Sequence, residues 1–414
     1  MIQFNRKLKK RFDFEANESI DIKIEDQIKI HFAFEVSSEG ELEQVYAIVE
    51  ALLMKSEKIE ILYCSESVSK ACLNLQKKYP GQINLLSLPV LSYFPLIKLR
   101  NPIAWIQAKH LIFCRYDFFP ELMGFSRGEG KKMSLVSGSM KNHAQKNRIQ
   151  KLYLKSCYDS FDKIISATQA DRDLFSQHFN SDVREYDFRI PRIMARLDQA
   201  GTALDKGFPS FSQFYEEIIK AFQYKIILGS YWDNEVEIVH KLLSVDSAST
   251  LICLAPHKID DQTVLQIVSN LNIPTYIINI DTTEDQLSEL IQEFIKNGGV
   301  CIFQVKGILC ELYSLFDKAY VGGGFGESVH SLLEPYLAGC DLYCGPKVYR
   351  SSEYDWIREQ LQHDFYLSSM DDISQQILNS VQNSIEKNSD SKNTLNSIKD
   401  FHQQTSVMID WLMS

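Results

Sequence analysis

The sequence predicts an α/β protein with two Rossmann-like domains, each a parallel sheet covered by helices on both faces. Short apolar runs alternate with amphipathic stretches along most of the chain, and this alternation is typical of parallel sheets. It stops once, over Ile193–Phe222, and resumes at Lys225. Because 414 residues exceed what one hydrophobic core usually spans, we expect two domains that face a central cleft.

The first domain is predicted to comprise residues 1–195. Helical patterns over 42–55, 65–78 and 169–178 separate its apolar, β-rich runs. These runs predict strands at Ile30–Val36, Ile59–Tyr63, Ile83–Ser87, Leu111–Phe113, Ser134–Ser137 and Lys163–Ser166.

A connector with some helix is predicted over 196–222, and the second domain over 223–390. A final helix within 391–414 is predicted to pack back on the first domain. The strands expected in the second domain are Lys225–Leu228, Leu251–Ala255, Thr275–Ile278, Val300–Gln304, Ala319–Val321 and Asp341–Cys344.

Composition excludes several classes of protein. A formal net charge of −10 argues against nucleic acid as a partner. No apolar run is long enough to span a membrane, and the start lacks a secretory signal pattern. The nine cysteines are scattered without CxxC spacing, which favours reduced core thiols in a cytoplasmic protein over zinc or disulfides.

Two segments could contact a membrane surface. Basic residues cluster between Arg6 and Arg11, in contrast to the acidic whole. This cluster is either a solvated tail or a patch attracted to anionic lipid. The stretch Leu88–Ile106 mixes aromatic, proline and basic residues, and it fits an interfacial loop or core packing equally well.

The most informative motif is Tyr320–Pro346, which predicts a strand, a glycine loop, a helix and a strand. Gly322, Gly323 and Gly324 would let the backbone approach a ligand. A helix starting near residue 327 would then point unpaired N–H groups at an anion. His330 and Glu334 would share one helix face, so that Glu334 could reach sugar hydroxyls. The motif therefore predicts a site for an activated sugar nucleotide.

A second motif, Ser38-Glu39-Gly40-Glu41, lies between the first strand and its helix. A carboxylate at this sheet edge could act as the general base that deprotonates an attacking hydroxyl. Ser38 and Glu41 also fit the S-x-x-E capping box, in which the glutamate only bonds a helix-terminal N–H. Spacing alone leaves both roles open.

Three further turns follow predicted strands, and each has an ordinary alternative. Gly229 and Ser230 could form a turn that approaches phosphate, or a plain βα turn. Pro256 and His257 end the next strand, where a surface loop is the alternative. In the first domain the segment at 115–120 could contact substrate through the pair Arg115 and Asp117, or this pair could hold the loop internally.

Together these segments resemble the 3-deoxy-D-manno-octulosonic acid (Kdo) transferases of lipid A assembly, over Ile30–Ile357. The run from the three glycines through Glu334-Pro335 to Gly345-Pro346 is similar to the family's GG…GHNxLEP…GP pattern. The other matches follow in the family's order: Ser38–Glu41 for S-x-GE, Arg115–Phe119 for E/K-x-E-x-W, Gly229–Trp232 for GS-x-W, and Pro256-His257 for PH or PRH.

The resemblance implies the GT-B fold and an inverting transfer of Kdo from cytidine monophosphate (CMP)-Kdo to a lipid A precursor. It places the protein in the cytoplasm, peripherally on the cytoplasmic face of the inner membrane, and it implies no metal and no cofactor. Glu41 would be the base, and Glu334 would contact the nucleotide of the donor. The other donor-binding candidates are Gly229, Ser230, Pro256, His257, Gly322, Gly323, Gly324, His330 and Ser331, and the acceptor-side candidates are Ser38, Gly40, Arg115 and Asp117.

The chain departs from the family pattern at several positions. Ser331 stands where the family has asparagine, Arg115 where it has a carboxylate, and Phe119 where it has tryptophan. The hydrophobic anchor of many members is replaced by the short basic start. Two alternatives follow, namely a GT-B transferase that uses another nucleotide sugar on a soluble acceptor, and a non-catalytic relative that binds or scaffolds.

Overall fold

The structure is a computed structural model that describes residues 30–88, 106–115, 118–140, 147–208, 210–243, 250–326, 328–382 and 404–414. Asp117, the basic residues 6–11 and most of the stretch 88–106 lie outside these residues, so the predictions made for them are not described further. The chain divides into two compact units. The N-terminal unit is Met1–Arg192 with Gln403–Ser414, and the C-terminal unit is Ile193–His402.

The N-terminal unit contains a seven-stranded sheet in the order β3-β2-β1-β4-β5-β6-β7, in which every pairing is parallel. The strands are β1 (Phe32–Val36), β2 (Ile59–Tyr63), β3 (Ile83–Ser87), β4 (His110–Cys114), β5 (Lys132–Gly138), β6 (Lys163–Ser166) and β7 (Asp182–Glu185). The helices are α1 (Glu39–Met54), α2 (Glu66–Lys78), α3 (Pro120–Gly128), α4 (Arg148–Tyr158) and α5 (Gln169–His178).

The degree of burial of each strand explains which strands can be predicted from the sequence. β2 and β4 are buried along their whole length, and strands of this kind read as continuous apolar runs. The edge strand β7, with the sequence DVRE and no fully buried residue, was not predicted because it has no apolar pattern. The C-terminal helix, residues 404–413, belongs to this unit, where Trp411 Nε1 donates to Asp182 Oδ2 at 3.0 Å.

The C-terminal unit contains a six-stranded sheet in the order β10-β11-β9-β8-β12-β13, again parallel throughout. The strands are β8 (Tyr224–Tyr231), β9 (Thr250–Pro256), β10 (Thr275–Asn279), β11 (Val300–Gln304), β12 (Lys318–Val321) and β13 (Asp341–Cys344). The helices are α6 (Arg189–Asp198, which begins in the N-terminal unit), α7 (Ala200–Gly207), α8 (Phe211–Phe214), α9 (Val236–Leu242), α10 (Asp261–Leu271), α11 (Glu284–Asn297), α12 (Leu309–Tyr313), α13 (Leu333–Leu337), α14 (Ser352–Leu361) and α15 (Met370–Gln382). The predicted fold class, α/β with two parallel sheets, is confirmed.

The stretch predicted as a connector differs from that prediction. Residues after Ile193 belong to the C-terminal unit, and α8 continues into a π-helix, Tyr215–Ile219. Leu204, Phe208 and Phe214 are among the buried residues of that unit's core. The glycines of this segment favoured the prediction of a linker. In the structure its apolar side chains pack into the hydrophobic core of the C-terminal unit.

The helix predicted to start near residue 327 is wrong. In the structure α13 contains only Leu333–Leu337, and residues 328–332 are not helical. Pro335 supplies the reason, because proline is tolerated in the first turn of a helix but breaks its interior. A helix from residue 328 would put Pro335 in its interior, whereas one from Leu333 puts it in the first turn. His330 therefore precedes the helix and does not share a face with Glu334.

The environment of the cysteines agrees with the prediction made from their spacing. All nine cysteines are buried and none is in a disulfide, as expected for core thiols. Among the described residues no helix combines the length and the hydropathy that a membrane crossing requires.

Candidate functional site

In each sheet the strand order reverses at one point, and the predicted site residues lie around these two points. In parallel α/β sheets, ligands bind beyond the carboxyl ends of the strands at such a point. In the N-terminal unit it lies between β1 and β4, where Ser38, Gly40 and Glu41 follow β1 and Arg115 follows β4. In the C-terminal unit it lies between β8 and β12. The acceptor-side and donor-side candidates thus lie in different units.

Glu41 lies in the first turn of α1 and is only 5% exposed. Its Oε2 accepts a hydrogen bond from the backbone N–H of Ser37 at 2.6 Å. Ser38 is the N-cap of α1, and its Oγ accepts from the N–H of Glu41 at 3.3 Å. One half of the predicted capping box is present, because the side chain of Ser38 caps α1. The other half differs, because the Glu41 carboxylate accepts from the N–H of Ser37, the residue before the N-cap.

A second buried carboxylate, Glu35, was missed by the sequence reasoning. It lies in β1 and is 1% exposed. Ser37 Oγ donates to Glu35 Oε1 at 2.9 Å, so Ser37 connects Glu35 to Glu41 through its hydroxyl and its N–H. The signal was present in the sequence, since a glutamate in the apolar strand FAFEV is costly to bury without a specific role.

Arg115 adopts a backbone conformation that is uncommon for a side-chain-bearing residue, with φ +61°. Its N–H donates to Val136 O at 2.9 Å, which holds the chain as it leaves β4. Ser230, at the end of β8, has φ +49°. Non-glycine residues in this region cost energy and concentrate at functional sites. Two of the residues singled out by sequence are therefore held in strained backbone conformations at the carboxyl ends of central strands. The turn predicted at Gly229 and Ser230 is wrong, because both residues belong to β8, which has a register irregularity between Gly229 and Tyr231.

The donor-side residues lie around a buried carboxylate, Glu235, that the sequence analysis did not single out. Glu235 is 0% exposed. Its Oε1 accepts from Tyr320 Oη at 2.7 Å and from the N–H of Gly323 at 2.9 Å, and its Oε2 accepts from the N–H of Trp232 at 3.0 Å. Burial raises the pKa of the Glu235 carboxyl, and these three bonds oppose part of that effect. Glu235 thus ties the turn after β8 to the glycine loop after β12.

Contacts inside the protein explain why the loop requires glycine. A Cβ on Gly322 would lie 2.3 Å from Ser230 O, and one on Gly323 would lie 2.4 Å from Ser328 O. A Cβ on Gly324 would lie 2.7 Å from the backbone of Gly345. Gly323 also has φ +93°, which favours glycine. The predicted reason, close approach of a ligand, is therefore not needed to account for these glycines.

Three rings from three loops meet beside the glycine loop. The rings of Trp232 and His330 are nearly parallel, with an interplanar angle of 8°, and Trp232 Nε1 donates to His330 Nε2 at 3.0 Å. His257 stacks on both, with ring centroids 4.6 Å from Trp232 and 4.2 Å from His330. The sequence predicted His257 and His330 as donor-site residues, and the structure brings them into contact. We call this group the ring stack.

The ring stack requires a neutral His330. Burial, reinforced by His257, lowers the pKa of His330 to about 4, while Glu353 acts in the opposite direction. The bond from Trp232 also needs an unprotonated Nε2.

This pKa shift predicts a pH dependence of stability. Between pH 4 and the ordinary histidine value of 6.5, the unfolded chain binds the proton that folded His330 excludes. This contribution to stability is present above pH 6.5 and is lost as the pH falls toward 4. We expect His330→Gln to flatten the pH dependence of the melting temperature across this window. Equal slopes for the variant and the wild type would contradict this assignment.

At the start of α13 an internal carboxylate already binds two of the N–H groups, whereas the prediction left these donors to an anion. Glu353 Oε2, from α14, accepts from the N–H of Leu332 at 2.6 Å, from that of Leu333 at 3.1 Å and from Ser331 Oγ at 3.1 Å. A carboxylate of the protein itself therefore occupies the place predicted for phosphate. Ser331 serves this internal bond.

Glu334 lies near a second acidic residue, and one arginine contacts both. Arg196 Nη1 is 3.7 Å from Glu334 Oε1. The same guanidinium binds both oxygens of Glu311 at 2.8 Å. Glu334 is partly exposed at 23%, so it stays accessible to a ligand. Arg196, which the sequence analysis did not single out, orients it.

Comparison with known proteins bears on both units. Residues 6–185 match the family model for the N-terminal region of glycosyltransferases described as 3-deoxy-D-manno-octulosonic-acid transferase (kdotransferase). No curated protein matches the chain in sequence.

Among the described residues, no cluster of histidine, cysteine and acidic side chains could hold a metal ion.

Solved structures share the architecture of this chain. UDP-GlcNAc 2-epimerase from Neisseria meningitidis is 8% identical, with a TM-score of 0.60 over 92% of this chain and 100% of that chain. A glycosyltransferase from Rickettsia africae is 11% identical, with a TM-score of 0.56 over 94% of this chain and 96% of that one. The C-terminal CMP-Kdo binding domain of WaaA from Acinetobacter baumannii is 18% identical, with a TM-score of 0.35 over 49% of this chain and 98% of that domain.

At such identities the first two structures establish the fold alone, and this is the GT-B fold predicted above. The resemblance to a family rests on the sequence match of the N-terminal region. Residues 6–185 match the Kdo transferase family of glycosyltransferases, the family that the motifs of the chain also resemble.

Proposed function

We propose that this protein transfers Kdo from CMP-Kdo to a lipid A precursor, with inversion at the anomeric carbon and without a metal ion. The observation that carries the proposal is the family match over residues 6–185, the part of the chain that contains Glu41. The lipid acceptor implies that the protein works as a peripheral protein on the cytoplasmic face of the inner membrane.

In this proposal Glu41 is the general base. An acceptor hydroxyl attacks the anomeric carbon of Kdo, its proton passes to the Glu41 carboxylate, and CMP leaves with the electron pair of the glycosidic bond. Positioned proton transfer of this kind typically contributes about 10²–10⁴-fold to a rate. The burial of Glu41 supports the role, because little bulk water reaches its carboxylate to compete with the acceptor hydroxyl as the proton donor. The N–H of Ser37 holds its carboxylate in one orientation.

The C-terminal unit binds the donor in this proposal. The proposed contacts are Gly229 and Ser230 near the end of β8, the strand end at Pro256 and His257, the glycine loop, His330 and Glu334. The ring stack supports a nucleotide site, since flat side chains of this kind stack on bases. Because Glu353 binds the N–H groups at the start of α13, we do not assign the phosphate of the donor to this helix start.

Ligand-induced thermal shifts test the choice of donor. CMP should raise the melting temperature, because a ligand at about 100 times its Kd stabilises the folded state by about 2.7 kcal/mol. UDP, GDP and ADP at the same concentration should shift it little. Stabilisation by UDP without stabilisation by CMP would overturn the proposal in favour of a GT-B transferase with a different donor.

Incubation with CMP-Kdo and a lipid A precursor then tests transfer itself. We expect a product whose mass is increased by one or more Kdo residues. CMP binding without any product would instead favour a non-catalytic relative. The departures at Arg115 and Ser331, and the occupied donors at the start of α13, are the observations that motivate this second candidate.

A further inference from the structure

Helix α4 of the N-terminal unit carries an exposed apolar stripe. Ile149 is 79% exposed, Leu152 is 66% exposed and Tyr153 is 42% exposed. These positions are spaced i, i+3 and i+4, so the three side chains lie on one side of the helix. Large aliphatic side chains are common on surfaces singly, but a contiguous group marks an interaction surface.

The stripe is not the side by which α4 packs on its own unit. Cys157 and Tyr158 are buried and belong to the core cluster, with Leu154 packed against it. At 100° per residue these positions lie on a different side of α4 from Ile149 and Leu152. The helix is therefore anchored by one apolar side and presents a second one.

Positive charge borders the stripe. Arg148, Lys151 and Lys155 lie on the third side of α4, and Lys155 also pairs with Asp159 at 3.0 Å. Residues 131–158 contain no aspartate or glutamate, although the chain as a whole has a net charge of −10. The segment is thus an exception to the acidic surface and complements an anionic partner.

We infer that α4 is a membrane-docking helix that lies along a bilayer containing anionic lipids. Exposed apolar side chains beside a basic row are typical of helices that rest at the lipid–water interface. Ile149 and Leu152 would insert between acyl chains, while Arg148 and Lys151 would extend toward lipid phosphates. Tyr153, whose hydroxyl donates to Phe118 O at 3.5 Å, would lie at headgroup level. The inference rests on the proposed function in one respect, because a lipid acceptor requires contact between the protein and a membrane.

Co-sedimentation of the full chain with vesicles tests the inference. Vesicles of phosphatidylcholine with about one third phosphatidylglycerol should bind the protein more tightly than pure phosphatidylcholine, and added salt should weaken this binding. The double variant Ile149→Ser/Leu152→Ser should lower the partition coefficient about tenfold or more, since two large apolar side chains no longer leave water.

The C-terminal unit offers a matched control. Leu265 in α10 is 63% exposed and Ile295 in α11 is 65% exposed, and α11 is rich in acidic residues. The double variant Leu265→Ser/Ile295→Ser should bind vesicles as the wild type does. Both double variants should keep the wild-type circular dichroism spectrum and the CMP-induced thermal shift, which shows that neither is misfolded.

Two outcomes would overturn the inference. One is equal vesicle binding by the wild type and the Ile149→Ser/Leu152→Ser variant. The other is an oligomer of the wild type, seen by light scattering without lipid, that the α4 variant converts to a monomer, since the stripe would then join two copies. Vesicle binding is measured without donor or acceptor, so failure here leaves the thermal-shift and transfer tests of the proposed function unaffected.

Discussion

Replacement of Glu41 by glutamine is expected to lower the rate of Kdo transfer by about 10²–10⁴-fold while CMP still raises the melting temperature as in the wild type. Glutamine keeps the size of the side chain and can still accept a hydrogen bond from the N–H of Ser37, but it cannot take a proton from the acceptor hydroxyl. The measurement is turnover with saturating CMP-Kdo, paired with the thermal shift on CMP.

Ser38→Ala separates catalysis from capping. Ser38 Oγ accepts from the N–H of Glu41, and loss of such a cap typically costs about 1 kcal/mol of stability. The variant should therefore melt earlier and still transfer Kdo. If Glu41→Gln matched Ser38→Ala, with a small loss of stability and full turnover, Glu41 would be a structural residue only.

The second large effect is expected at Glu235, on stability. Glu235→Ala removes the acceptor for Tyr320 Oη and for the N–H groups of Trp232 and Gly323. Because an unsatisfied buried donor costs about 1–3 kcal/mol, the C-terminal unit should lose about 3–5 kcal/mol. Urea unfolding followed by tryptophan fluorescence measures this loss. CMP binding should weaken as well, since the turn after β8 and the glycine loop lose their shared tether.

A neighbouring glutamate controls for the loss of charge. Glu237 is exposed and pairs with Lys241 on the surface, and exposed pairs contribute little to stability. Glu237→Ala should therefore shift the unfolding midpoint far less than Glu235→Ala. A comparable shift for both variants would mean that net charge, and not the three buried bonds of Glu235, stabilises the unit.

Local pattern was sufficient for most of the sheet and insufficient for the loops. Val300–Gln304 and Lys163–Ser166 were predicted with the bounds that the structure has, because buried parallel strands are apolar runs between polar turns. The start of α13 was predicted wrongly because the prediction followed the glycine run, which suggests a helix directly after it, and did not use Pro335. Proline alone could have corrected it, since it cannot occupy a helix interior.

The candidate site shows the same division more sharply. Ser38 and Glu41 were predicted as site residues because they follow a strand of the first sheet, and His257 and His330 because they follow strands of the second, since ligands bind beyond the carboxyl ends of parallel strands. Glu235 was missed because its role depends on partners far away in sequence, such as Tyr320, which is 85 residues from Glu235. No short-range pattern encodes that pairing.

The amino-acid sequence by itself determined the α/β class, most strands of both sheets and the family resemblance, because these depend on local hydrophobic periodicity and on the order of short motifs. Only the tertiary structure decided that Glu353 occupies the N–H groups at the start of α13, that the glycine loop packs against its own protein, and that three rings stack beside it. The physical reason is that hydrogen bonding and close packing join residues by distance in space, which the linear spacing of a chain does not specify.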